Sequence, residues 1–125
     1  MSEILELSSL GHTWILDLDG TIVKHNGYRL DGYDTLLKGA KEFMDQIPAE
    51  DMVIFITSRN ESYREQTVMF LKEFGIRYDT IIFNAPFGER IIINDEKPSG
   101  LKTAISLNIA RNTGLGIMVK VNLEL

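Results

Sequence analysis

Apolar positions along this chain fall into short runs whose period switches back and forth between that of a strand and that of a helix. Residues 13–18 (TWILDL) form an apolar run that delivers Asp17 and then Asp19 before breaking at Gly20. Side chains alternate faces along a strand, so Asp17 and Asp19 project together while Leu16 and Leu18 point the other way. The pattern predicts a strand with two acids at its end and a sharp turn at Gly20. Residues 52–57 (MVIFIT) are apolar almost throughout, as in a strand buried on both faces of a parallel sheet. Residues 78–83 and 91–93 read as a third and a fourth strand, the fourth ending in Asn94-Asp95-Glu96-Lys97-Pro98.

Between these runs the spacing becomes helical. Leu36, Leu37, Ala40, Phe43, Met44 and Ile47 share one face of a helix, with Asp34 as its candidate cap and Pro48 as its stop. Ser58-Arg59-Asn60 opens a second helix with Tyr63, Thr67, Phe70, Leu71 and Phe74 on one face and Gly75 at its end. A third is expected over residues 99–110, with Leu101, Ala104, Ile105 and Ile109 inward. Residues 22–33 hold two glycines and an Asn-Gly pair, which suggests a hairpin or flap beside the acids carrying His25, Tyr28 and Arg29. Residues 1–11 are too short and mixed in pattern to separate a helix from an ordered lead-in, and residues 117–125 alternate like a half-buried strand.

Strands alternating with helices imply an α/β fold, a mostly parallel sheet with helices on both faces, and such sheets bind ligands at the C-terminal ends of their strands. Asp17, Thr57 and Asp95 all fall at such ends. A chain of 125 residues suits one domain with one core. Its net charge of -5 provides no basic field, so no nucleic-acid partner is expected. The absence of cysteine leaves the chemistry to oxygen and nitrogen groups. Residues 1–11 carry Glu3 and Glu6 without a basic, then apolar, leader, and no run is long enough for a span, so a cytoplasmic protein without membrane contact is expected.

Two convergent carboxylates need a shared proton or a cation between them. Mg²⁺ takes one or two carboxylates, keeps water and draws its other oxygens from substrate phosphate. The plainer alternative is an acidic turn, with Asp19-Gly20-Thr21 serving as turn and cap. On the flap, the Arg29 fork suits an anionic substrate, whereas His25 reads as a solvated loop residue.

Asp17-Leu18-Asp19-Gly20-Thr21 resembles the first motif of the haloacid dehalogenase superfamily, most of whose members are Mg²⁺-dependent phosphatases. Thr57-Ser58-Arg59 resembles its second motif, in which a hydroxyl and the next backbone N–H hold a phosphoryl oxygen. Ile93-Asn94-Asp95 resembles the fourth, with Asn94 where an acid is usual. For the third motif, a phosphate-neutralising cation, Arg90 and Lys97 both qualify, and Lys97 is favoured because strand-end loops face the site. The resemblance spans about residues 13–110, and the spacing between motifs leaves no room for a cap domain.

The resemblance implies a capless, three-layer α/β/α, Rossmann-like hydrolase. Asp17 would be the nucleophile that forms an aspartyl-phosphate, Asp19 the general acid and base, and Thr57 and Lys97 further catalytic groups. Gly20, Thr21, Ser58, Arg59, Arg29 and Arg90 would contact substrate. Asp17, Asp19, Asp95 and Asn94 would bind Mg²⁺, with the Asp19 ligand its backbone carbonyl. The expected partner is a phosphorylated small molecule, such as a sugar phosphate of surface-polysaccharide synthesis. A catalytically degenerate relative or a receiver-like phospho-acceptor module is the competing class. The strand pattern of residues 117–125, at a sheet edge, adds the expectation of a homo-oligomer.

Overall fold

In the computed structural model, which describes residues 3–125, the strands are β1 (Glu3–Leu7), β2 (Thr13–Asp17), β3 (Met52–Ile56), β4 (Thr80–Ile82) and β5 (Ile117–Val121). The helices are α1 (Gly27–Leu30), α2 (Ala40–Gln46) and α3 (Arg64–Glu73), the last preceded by a 3₁₀ turn at Glu61–Tyr63. All strand pairs are parallel, so this is an α/β fold, arranged as a sheet of order β2-β3-β4 and a separate pair β1-β5. Both sheets feed one apolar cluster: Val53, Phe55 and Ile81 from the larger sheet meet Leu7, Ile117, Phe43 and Leu71. Among the described residues no helix is long and apolar enough to cross a membrane.

The first two sheet strands start together because a buried carboxylate ties them. Asp51, just before β3, accepts from the His12 backbone N–H at 3.1 Å and from Trp14 Nε1 at 2.9 Å, and it lies 2.7 Å from His12 Nδ1. Trp14 packs edge-on to Phe43 of α2, which carries the helix into the same core. The β2–β3 register sets Asp17 opposite Ile56, so Thr57 stands one residue beyond.

Four expectations need correction. The mixed segment at the N-terminus contains a strand, β1, because β5 offers it a parallel partner with Glu6 opposite Lys120. Helix α2 begins at Ala40 behind Gly39, not at a cap on Asp34, whose carboxylate is instead taken by Arg59. Helix α3 begins after the 3₁₀ turn that Asn60 caps through the Ser62 N–H, so no α-helix starts at Ser58.

The fourth correction covers residues 91–110, which form neither strand nor helix. Ile91 and Ile93 are 80% and 92% exposed, and three apolar residues between Arg90 and Asn94 have no ladder to join. In residues 99–110, a short isolated helix is marginal unless an apolar face packs, and here Ile105 and Leu107 are exposed while Ile109 alone reaches the main cluster. Asn94 also donates to Thr103 Oγ1 at 2.7 Å, and the Gly100 N–H donates to the Lys97 carbonyl at 2.8 Å, so local turns take the bonds a helix needs.

Candidate functional site

The end of β2 and the loop after β3 together build the site. Gly20, at φ +87°, turns the chain back so that its N–H donates to the Val23 carbonyl at 2.7 Å. This holds residues 19–23 against the strand end. Asp17 is half-exposed: its Oδ1 accepts from Arg90 Nη1 at 2.8 Å and its Oδ2 from the Thr21 hydroxyl at 3.4 Å. Thr57 is fully buried, and its hydroxyl accepts from the Arg59 N–H at 3.1 Å. Its own backbone is fixed by the Ile82 and Ala85 peptide groups, which ties the β3 end to the β4 end.

Arg59 is the most constrained side chain of the site. Its Nε and Nη2 donate to the two oxygens of Asp19, both at 3.0 Å. Nη2 and Nη1 donate to the two oxygens of Asp34 at 2.6 and 3.0 Å, and Nη1 also reaches Thr67 Oγ1 at 2.9 Å. These are all five donors of a guanidinium. Tyr28 of α1 covers the group, its ring centre 4.0 Å from Cζ. Burial alone would push the Arg59 pKa down, but hydrogen bonds and charge from Asp34 and Asp19 outweigh it and hold it above its ordinary value. Burial and then the Asp19 charge push the Tyr28 phenol up as well. Two carboxyl groups thus share one guanidinium in a cluster largely shut off from water.

The structure brings together Asp17, Asp19, Gly20, Thr21, Thr57 and Arg59, and adds Arg90 by its ion pair to Asp17. Of the two cation candidates, Arg90 is the one on Asp17; with residues 91–93 outside a strand, it no longer marks the far end of one. Lys97 and Arg29 line the same cavity, of about 2130 Å³, and neither makes an ion pair among the described residues. The Ser58 hydroxyl turns away to the Pro86 carbonyl at 3.3 Å. Asn94 and Asp95 bond to each other and to Thr103 rather than to the end of β2.

For Mg²⁺ the donors at the end of β2 are the Asp17 carboxylate and the Asp19 backbone carbonyl, since both Asp19 side-chain oxygens face Arg59. No group of three or more acidic or histidine side chains able to hold a metal ion forms among the described residues. Those two oxygens are what the end of β2 offers a divalent ion, and Asn94 and Asp95 lie apart from them.

Sequence reasoning passed over three members of the cluster. The helical spacing points to Asp34 as a helix cap, and no local pattern signals a partner twenty-five residues further along the chain. Thr67 did carry a signal, as the one hydroxyl on the inward face of α3. Tyr28 was placed on the flap but not over Arg59. Comparison with protein-family models, with curated proteins and with solved structures finds no match to this chain.

Proposed function

We propose that this chain hydrolyses phosphomonoesters by transferring the phosphoryl group to Asp17. The observation that carries the reading is the convergence of Asp17, Asp19 and Thr57 at the C-terminal ends of two adjacent parallel strands. The order of residues in the haloacid dehalogenase motifs supports it. In the first half-reaction an Asp17 carboxylate oxygen attacks phosphorus in line, the bond to the ester oxygen breaks, and the leaving oxygen takes a proton. Asp19 is the proton donor and then the base for the water that attacks the aspartyl-phosphate, releasing inorganic phosphate and restoring Asp17. Arg59 fixes the direction of the Asp19 carboxylate while a second lone pair remains on each oxygen. Arg90, already on Asp17, is the nearest cation for the dianionic phosphate.

Mg²⁺ dependence, the substrate class of small phosphorylated metabolites and the finer three-layer architecture belong to the same proposal and rest on the motif resemblance. Hydrolysis of an aryl phosphate by purified protein, with and without Mg²⁺ and with chelator, tests it. Activity is expected in Mg²⁺ and is expected to vanish in Asp17→Asn with the circular dichroism spectrum unchanged. Retention of the rate in that variant would sink the reading.

A further inference from the structure

Beside the acids lies a corner that the reaction above does not use. The carbonyl of Gly20 accepts from the Asn112 N–H at 3.0 Å, and the Asn112 side-chain oxygen accepts from the His25 N–H at 2.8 Å. Asn112 holds φ +64°, in the left-handed region that asparagine tolerates, so this clamp is a specific turn. It sets the neighbouring Arg111 against the Gly20 turn: a Cβ built on Gly20 would meet Arg111 Cγ at 3.1 Å and His25 Cβ at 3.7 Å. Gly20, His25 and Arg111 line the same cavity as Asp17 and Asp19.

Two groups of the corner lack partners. Arg111 is exposed, and among the described residues its guanidinium makes no hydrogen bond or ion pair, so its donors are open to a ligand. His25 Nδ1 is buried without a hydrogen-bond partner, and it is the one side-chain polar atom so left among the described residues. That nitrogen is closed off from the cavity, so the group of the corner free to meet a ligand is the Arg111 guanidinium.

We propose that the Gly20–His25–Arg111 corner is a second anion subsite, which recognises a carboxylate or second phosphate on the phosphomonoester whose phosphoryl group goes to Asp17. The guanidinium fork matches either anion in bidentate fashion, and the reacting phosphoryl group occupies the Asp17 and Arg90 side. The inference rests on the proposed phosphatase reading for its catalytic arm only. It narrows the substrates to esters that carry two anionic groups a few bonds apart.

Ethyl phosphate and phosphoglycolate differ by a methyl against a carboxylate, so the ratio of their kcat/KM values reads the subsite. The ratio is expected to favour phosphoglycolate by about tenfold to a hundredfold, the range of one charge-assisted hydrogen-bonded contact. In Arg111→Gln it is expected to fall to near unity through KM, with Arg111→Lys between the two. An unchanged ratio in Arg111→Gln would overturn the proposal. If neither ester is turned over, the phosphatase reading fails, and calorimetric binding decides the subsite separately. Pyrophosphate should then bind more tightly than inorganic phosphate to the unaltered chain, and Arg111→Gln should lose that advantage. Equal affinities in the unaltered chain would refute the subsite outright.

Discussion

Arg59 shows how one side chain can hold a site in shape. Lysine keeps its charge but presents one ammonium where five directed donors are needed, so Arg59→Lys is not a conservative change here. Removing the cation altogether, as in Arg59→Met, leaves Asp34 and Asp19 buried against each other. The expected loss is about 3–5 kcal/mol in unfolding free energy, measured by urea titration. Asp34→Asn is expected to lower turnover of an aryl phosphate more than it raises KM, since it loosens Asp19 without touching Asp17. A change confined to KM would remove Asp34 from this positioning role. Asp19→Asn should itself lower turnover by about two to four orders of magnitude, the usual size of acid-base catalysis.

A second buried acid sets an acid limit on stability. Burial would raise the Asp51 pKa, but hydrogen bonds from Trp14 and His12 outweigh it and hold the carboxyl below its ordinary value. A depressed carboxyl stabilises the fold fully above the unfolded value of about 3.9, and that contribution fades as pH falls through the folded value. The melting temperature is therefore expected to drop below about pH 4. In Asp51→Asn the protein should start from a lower melting temperature at pH 7 and show a shallower acid slope. Parallel curves for the two proteins would show that Asp51 does not set the limit.

At the scale of elements, the joint between α2 and β5 depends on backbone contact that only glycine permits. Gly39 (φ +79°) and Gly114 (φ +87°) face each other's chains, and a Cβ at Gly39 would stand 2.2 Å from the Leu115 carbonyl oxygen. The Leu115 N–H donates to the Lys38 carbonyl at 2.9 Å across the same joint. Gly39→Ala is expected to cost at least about 2 kcal/mol, from the left-handed backbone and the displaced carbonyl together, and a melting temperature within a degree of the parent would contradict this. Neither glycine was singled out by the sequence pattern, because the need for them arises from a contact between segments about seventy-five residues apart. What the pattern did disclose was whatever one element decides alone: the acids at the end of β2, the buried run of β3, the apolar face of α2 and the alternation of β5. The partners of Asp34, β1 and residues 91–110 are chosen by tertiary contact, and there the pattern was silent or mistaken.

At the scale of the whole molecule, β2 is an edge strand, paired on one side only, by β3. The expectation of a homo-oligomer rested on an unpaired β5, yet β1 takes one edge of β5 and the Gln46 amide takes the other. That amide donates to the Ile117 carbonyl at 2.9 Å and accepts from the Val119 N–H at 2.8 Å, as a neighbouring strand would. Among the described residues the outer edge of β2 has no such cover, and the cavity of about 2130 Å³ runs beside it, lined by residues of both β1 and β2. Residues 91–93 are an exposed apolar segment outside any strand, and seating them there would join the two sheets and carry Asp95 towards Asp17 and Asp19. Three carboxylates drawn together repel one another, so a divalent cation should favour this seated form and its absence should disfavour it. Hydrogen exchange at residues 91–93 is accordingly expected to slow when Mg²⁺ and inorganic phosphate are added, with the mass by light scattering unchanged. Slowing that appears only with a doubled mass would place a second copy on the edge instead, and exchange that ignores both additions would refute the seated form.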